Sequence, residues 1–188
     1  MFIRKKKYFI IIENIKDINL SNLKKNKFSL IYRPKKNITE FNRLLSFRKK
    51  CLTKNIKFYV ANDLKLCKLL KSDGIYLSSF NKNLKVMLFK RSNFDLIGSA
   101  HNIKELNLKK LQQCSYILFS KLFQVSYKPN DKFFGLLRFN LLMKKNSKII
   151  PLGGINLKNL KKLNQISSEG LALMSEIKKK PAISSRLL

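Results

Sequence analysis

Eight short apolar runs, each followed by a more polar stretch, recur from one end of the chain to the other. No other feature limits the fold as much. The runs fall at 8–12, 28–32, 58–61, 74–77, 94–98, 116–119, 149–152 and 170–174. Between them the spacing of apolar residues predicts helices. The 38–54 stretch puts Phe41, Leu44, Leu45 and Phe47 near one face, and 102–113 does the same with Ile103, Leu106, Leu108 and Leu111. A shorter helix at 63–71 points Leu66, Leu69 and Leu70 inward, and 133–144 and 157–166 also fit helices. Strands alternating with helices imply parallel β-structure with crossover helices. Eight such units predict an α/β fold of the (β/α)8 TIM-barrel type. The alternative is an open doubly wound sheet, but no G-x-G-x-x-G follows the first run. A chain of 188 residues buries one sizeable core, so a single domain over 1–188 is expected.

The units are compressed at both ends. The first crossover, 14–27, is short, and the tail after the eighth run contains Lys178-Lys179-Lys180-Pro181. Pro181 removes a backbone donor and restricts Lys180. The expectation is a compact barrel with a shortened first crossover and little or no final helix. Its wall is then thin over strands one and eight, either covered by a partner, a homo-oligomer included, or left poorly protected.

The formal charge of +31 favours polyanions in general. Lysine is spread over nearly every segment, however, together with abundant Asn, Ile, Leu and Phe, the residue palette of AT-rich codons. A solvated surface is therefore preferred to a nucleic-acid interface. No apolar run approaches the roughly 18–20 residues of a membrane span, and the basic start lacks the apolar segment of a secretion signal. A cytoplasmic protein is expected. Cys51, Cys67 and Cys114 are odd in number and far apart, so they read as buried free thiols.

Chemistry is concentrated near the end of the chain. The run at 149–152 stops at Gly153-Gly154, and a second run from Gly170 ends near Ser175. Glycines after a buried strand let backbone N–H groups approach an anion without a Cβ in the way. A helix starting near Asn156 would add its positive end. In barrels of this kind the loops after strands seven and eight are the usual phosphate grip. Replacement of Gly154 by valine is expected to remove ligand binding with little effect on folding.

Several segments at the strand ends resemble one family. Ser72-Asp73-Gly74-Ile75-Tyr76-Leu77 is similar to A-D-G-[IV]-H-[LI], and Leu96 to Asn102 to I-G-x-S-x-H-[ST]. The stretch from Ser115 to Lys128 resembles D-Y-[IV]-x-[FL]-G-x-[IV]-[FY]-x-T-x-x-K. Ile150 to Asn156 resembles I-x-A-I-G-G-[IM]-[NT], and Gly170 to Ile177 resembles D-G-[IV]-A-[VM]-[IM]-S-x-I. These patterns, in this order, are those of the thiamine-phosphate synthase and thiazole tautomerase family, which has a TIM-barrel fold.

The resemblance implies a site for a thiazole phosphate, held by Gly153, Gly154 and Ser175. In the synthases the thiazole nitrogen displaces pyrophosphate from a pyrimidine diphosphate that ionises with the help of magnesium. In the tautomerases a histidine moves a proton on a thiazole carboxylate phosphate. The resemblance assigns Arg33, Lys35 and Ser99 to the diphosphate, Asp63 to Mg2+, and Lys128 and His101 to the chemistry. Ser99 also reads simply as a cap for the following helix. His101, the only histidine, suits proton transfer because an imidazole both accepts and donates near neutral pH.

The departures lie in the diphosphate half. Ile31 replaces the glutamine of the strand-two Q-x-R-x-K motif, and Asn81 replaces the second metal carboxylate. Ser78 and Ser79 stand for Gly and Gln, and Val125 and Tyr127 for threonines. The preferred reading is a synthase-type transferase acting on small phosphate esters. A tautomerase, a non-catalytic phosphate binder and a basic RNA-binding protein are the alternatives.

Overall fold

The computed structural model describes residues 6–35, 40–90, 93–125, 130–144 and 148–174. Eight strands run in the order of the apolar runs: β1 (Lys7–Ile12), β2 (Phe28–Tyr32), β3 (Lys57–Ala61), β4 (Gly74–Leu77), β5 (Asp95–Ala100), β6 (Tyr116–Phe119), β7 (Ile149–Pro151) and β8 (Gly170–Leu173). All ladders are parallel, and β1 lies between β2 and β8, with Ile10 opposite both Leu30 and Leu173. The sheet order β7-β6-β5-β4-β3-β2-β1-β8 curls into a nearly closed (β/α)8 barrel. At the seam the Ser168 Oγ lies 3.3 Å from Ile149 O and 2.8 Å from Gly170 O, joining β7 to β8.

The strands are apolar on both faces because each face is covered. Phe9, Ile11, Ile31, Tyr59, Tyr76, Ile97, Leu118, Ile150 and Ala172 fill the barrel interior. The alternate residues, such as Ile10, Leu30, Phe58, Ile75 and Phe119, pack outward against the helices. These helices are α1 (Phe41–Thr53), α2 (Leu64–Leu69), α3 (Ile103–Leu111) and α4 (Leu136–Lys144). Asp63 and Asn102 cap α2 and α3, each accepting a hydrogen bond from a backbone N–H of the first turn.

The short first crossover contains only two 3-10 turns, Ile15–Asp17 and Leu20–Asn22. The segment between β4 and β5 is also 3-10, at Leu84–Phe89. The helix expected at 157–166 is not α-helical. A 3-10 segment, Leu160–Gln165, takes its place, and no helix starts at Asn156. Asn156 and Asn159 nevertheless cap the turn between them reciprocally. Asn156 accepts from Lys158 N and Asn159 N, while Asn159 accepts from Asn156 N and donates to Gly154 O. Among the described residues a cavity of about 190 Å³ opens beside β7, β8 and β1, among Tyr8, Pro151, Leu160, Leu163, Ile166 and Leu171. The tail expected to lack a final helix lies outside the described residues.

Two helix faces differ from expectation. In α3 Leu106 and Lys109 point inward, whereas Ile103 and Leu111 are exposed. Gly98 explains this, because a Cβ there would meet Lys109 Cγ at 3.0 Å, so its absence makes room for the lysine stem. In α2 and its cap Leu66, Cys67 and Leu70 are buried and Leu69 is exposed. Cys51, Cys67 and Cys114 are buried free thiols, as expected. Among the described residues no helix is long and apolar enough to cross a membrane.

Candidate functional site

Parallel strands bring all their C-terminal ends to one mouth, so residues far apart in sequence meet there. Arg33 leaves β2 with its N–H donated to Ile12 O at 2.8 Å. Its guanidinium reaches across the mouth to Met174, past the end of β8, with Nη2 3.5 Å from Sδ. Beneath it Tyr76 of β4 is fully buried. Burial pushes the Tyr76 phenol pKa up, while hydrogen bonds with Ser99 and Arg33 and the charge of Arg33 pull it back. Arg33 thus lies by the buried Tyr76 phenol. Lys35, two residues on, is exposed and pairs with Glu13 Oε1 at 3.0 Å, past the end of β1.

Ser99 lies buried within β5, and Asn102 is the residue that caps α3, so the capping role for Ser99 is set aside. His101 stands exposed at the end of the same strand, its Nδ1 2.8 Å from Ser120 Oγ at the end of β6. Its backbone N–H donates to Glu105 Oε2 at 2.7 Å, and Asn102 Nδ2 donates to Glu105 Oε1 at 2.9 Å. These bonds fix the turn that carries the imidazole. If Ser120 donates to Nδ1, the proton resides on Nε2; in the opposite sense Nε2 is the basic nitrogen.

The ends of β3 and β4 supply the donors nearest to a metal site. Asp63 is exposed and spends Oδ1 on Leu66 N at 2.9 Å. Asn62 Oδ1 accepts from Ser78 N at 3.0 Å and from Asn81 Nδ2 at 3.3 Å. Asn81 thus turns its amide to a neighbouring side chain where a second carboxylate is expected. Among the described residues no group of three or more His, Cys, Asp or Glu could hold a metal ion. The donor set fits Mg2+ only in the mode that uses one carboxylate and the oxygens of a bound diphosphate.

Gly153 and Gly154 follow β7 with φ of +92° and +70°. A Cβ on Gly154 would sit 2.4 Å from Phe123 O and 2.5 Å from Gln124 O, and one on Gly153 3.2 Å from Lys121 Cα. The pair is therefore required both for the left-handed turn and for close packing on the loop after β6. Lys121, paired with Asp131, brings a cation to this turn. The structure thus gathers Arg33, Lys35, Asp63, Ser99, His101, Gly153 and Gly154 at the strand ends; Lys128 and Ser175 lie outside the described residues.

Tyr76, Ser120 and Met174 were not singled out from the sequence. Tyr76 and Ser120 occupy the histidine and glycine positions of the patterns above, so the signal was a departure from a motif rather than a match to it.

A sequence model of the thiamine monophosphate synthase family matches residues 12–177. Thiamine-phosphate synthase of Methanococcus vannielii is 26% identical over 133 residues, 69% of this chain and 64% of that protein. The enzyme of Oceanobacillus iheyensis is 28% identical over 130 residues, 68% of this chain and 63% of its own. The matches therefore span less than two thirds of these relatives' lengths. Thiamine phosphate pyrophosphorylase from Pyrococcus furiosus superposes with a TM-score of 0.77 at 15% identity, covering 98% of this chain and 96% of that one. KGPDC from Streptococcus mutans shares the fold at a TM-score of 0.63 and 7% identity, covering 96% and 92%.

Proposed function

Since the chain belongs to the thiamine monophosphate synthase family, we propose that it joins a thiazole phosphate to a pyrimidine diphosphate, releasing pyrophosphate, as a step of thiamine biosynthesis in the cytoplasm. The observation that carries this reading is the position of Arg33 at the mouth, where its guanidinium reaches Met174 beyond β8 and lies by the buried phenol of Tyr76. A guanidinium held there meets a diphosphate with a planar fork, and charge-assisted bonds of this kind contribute about 1.5–3 kcal/mol each. Lys35, exposed and paired with Glu13, would exchange that carboxylate for a phosphate oxygen. Preorganised cations stabilise negative charge as it develops on the departing pyrophosphate, the largest electrostatic demand of such a displacement.

Gly153 and Gly154 offer their turn to the phosphate of the thiazole partner; the family resemblance gives Ser175 the same role and Lys128 a part in the chemistry. Mg2+, when bound, would be held by Asp63 and diphosphate oxygens and would neutralise leaving-group charge. The test is formation of thiamine phosphate from the two substrates. Arg33→Ala is expected to lower kcat/KM at least tenfold with an unchanged melting temperature. Equal turnover in that variant, or no product from the unaltered protein, would remove the reading.

A second reading, proton transfer on a thiazole carboxylate phosphate, is favoured by the bond between His101 Nδ1 and Ser120 Oγ. It predicts tautomerisation without a pyrimidine partner, lost in His101→Gln.

A further inference from the structure

A second charged cavity opens at the opposite end of the barrel, and the proposed reaction does not use it. Its volume is about 360 Å³, and it is built around the first residues of the strands: Lys7 of β1, Lys57 of β3, Asp95 of β5 and Tyr116 of β6. Lys27, Arg48 and Asp73 complete its charged lining, and Tyr59 lies on its inner side. That end of a barrel usually serves stability alone. The ion pairs here account for only part of the charge.

Arg48 is buried, its Nη1 paired with Asp73 Oδ2 at 3.0 Å and its Nη2 donating to Lys71 O at 2.8 Å. Lys57 pairs with Asp95 Oδ2 at 2.8 Å, which also accepts from Tyr59 OH at 3.1 Å. Lys7 and Lys27 are left without a carboxylate among the described partners. Lys7 Nζ lies 4.4 Å from the centre of the Tyr116 ring and donates to its hydroxyl; Lys27 Nζ lies 5.2 Å from the Tyr8 ring centre. The lining thus holds two more cations than carboxylates. Independently, the Lys27 pKa is lowered by burial and by the neighbouring charges of Lys24 and Lys6, the mark of cations crowded together without a counter-charge.

We propose that this cavity is a second anion site that takes a phosphate monoester. A phosphate dianion matches the two unbalanced lysines, and Ser29, Asn26 and Asn55 offer polar groups at the rim for the organic part. The volume suits a ligand of small-metabolite size. The same dianion is carried by free phosphate esters and by the 5′-phosphate of a nucleic acid strand.

The test is a titration of the isotopically labelled full chain with glycerol 3-phosphate, followed by amide NMR. Saturable shifts are expected at Lys7, Lys27, Tyr59 and Tyr116, with affinity at least tenfold weaker in a Lys7→Met/Lys27→Met double variant. Lys27→Met alone, expected to lose several-fold, serves if the double variant does not fold. Shifts confined to the Gly153–Gly154 end, no shifts, or undiminished affinity in the folded variants would overturn the proposal. A 5′-phosphorylated oligothymidine that competes for the same residues identifies the nucleic-acid source. Failure of that oligonucleotide to compete, with glycerol 3-phosphate still bound, identifies the free ester; neither result bears on thiamine phosphate formation at the other mouth.

Discussion

Gly154 is the residue at which chemistry and folding are hardest to separate. With φ at +70° and two carbonyl oxygens within 2.5 Å of the place a Cβ would take, a valine there meets both backbone strain and backbone overlap. Each such effect costs on the order of 1–3 kcal/mol. Gly154→Val is therefore expected to lower the melting temperature by several degrees or prevent folding, as thermal unfolding followed by circular dichroism will show. This replaces the expectation that the variant would lose ligand and keep its fold. The glycine pair was legible as a turn because nothing else follows a buried strand in that way. Its packing partner was not, since Phe123 and Gln124 lie some thirty residues earlier and only the β6–β7 pairing brings their loop beneath it. Arg33 and His101 were legible from their motifs. Tyr76 and Ser120, which lie beside them, were hidden because a phenol in a buried strand reads as core until its hydroxyl is given a partner.

At the level of elements, α3 is joined to the loop after β4 by a buried polar network. Lys109 Nζ donates to Asn81 O at 2.7 Å and to Gln112 Oε1 at 2.9 Å. Gln112 Nε2 lies 3.0 Å from both Asn81 O and Asn83 O. Both side chains are fully buried, so removing Gln112 leaves Asn83 O without that donor and Lys109 with one acceptor fewer. Gln112→Ala is expected to destabilise the fold by about 1–3 kcal/mol in urea unfolding. Because Asn81 sits beside Asn62 at the mouth, the same variant is also expected to loosen the strand-four loop. Apolar spacing alone assigned the inner face of α3 to its leucines. A lysine stem won that place because Gly98 leaves room for it and backbone carbonyls lie at its tip.

Across the whole molecule, the three thiols are spread over the helical wall and share one electrostatic fate. Burial pushes the Cys51 and Cys114 thiols up to about 12 and the Cys67 thiol up to about 11, from an ordinary value of 9.0. The folded state therefore holds these protons more tightly than the unfolded chain. Their contribution to stability is fully present below about pH 9 and is lost as the pH rises from there through about 11 to 12. Melting temperatures measured across that range should fall, and Cys51→Ala should flatten part of the decline; a flat profile would show that the thiols ionise without cost. The sequence by itself determined the count, order and direction of the eight strands, since a run apolar on both faces is stable only when covered on both faces. It also determined which strand ends carry arginine, histidine and the glycine pair. Only the tertiary structure decided that the segment after Asn156 is 3-10 and not α-helical, that Arg33 lies by the buried Tyr76, and that Lys7 and Lys27 share a cavity with too few carboxylates. These outcomes depend on neighbours brought together from other strands, which no local pattern encodes.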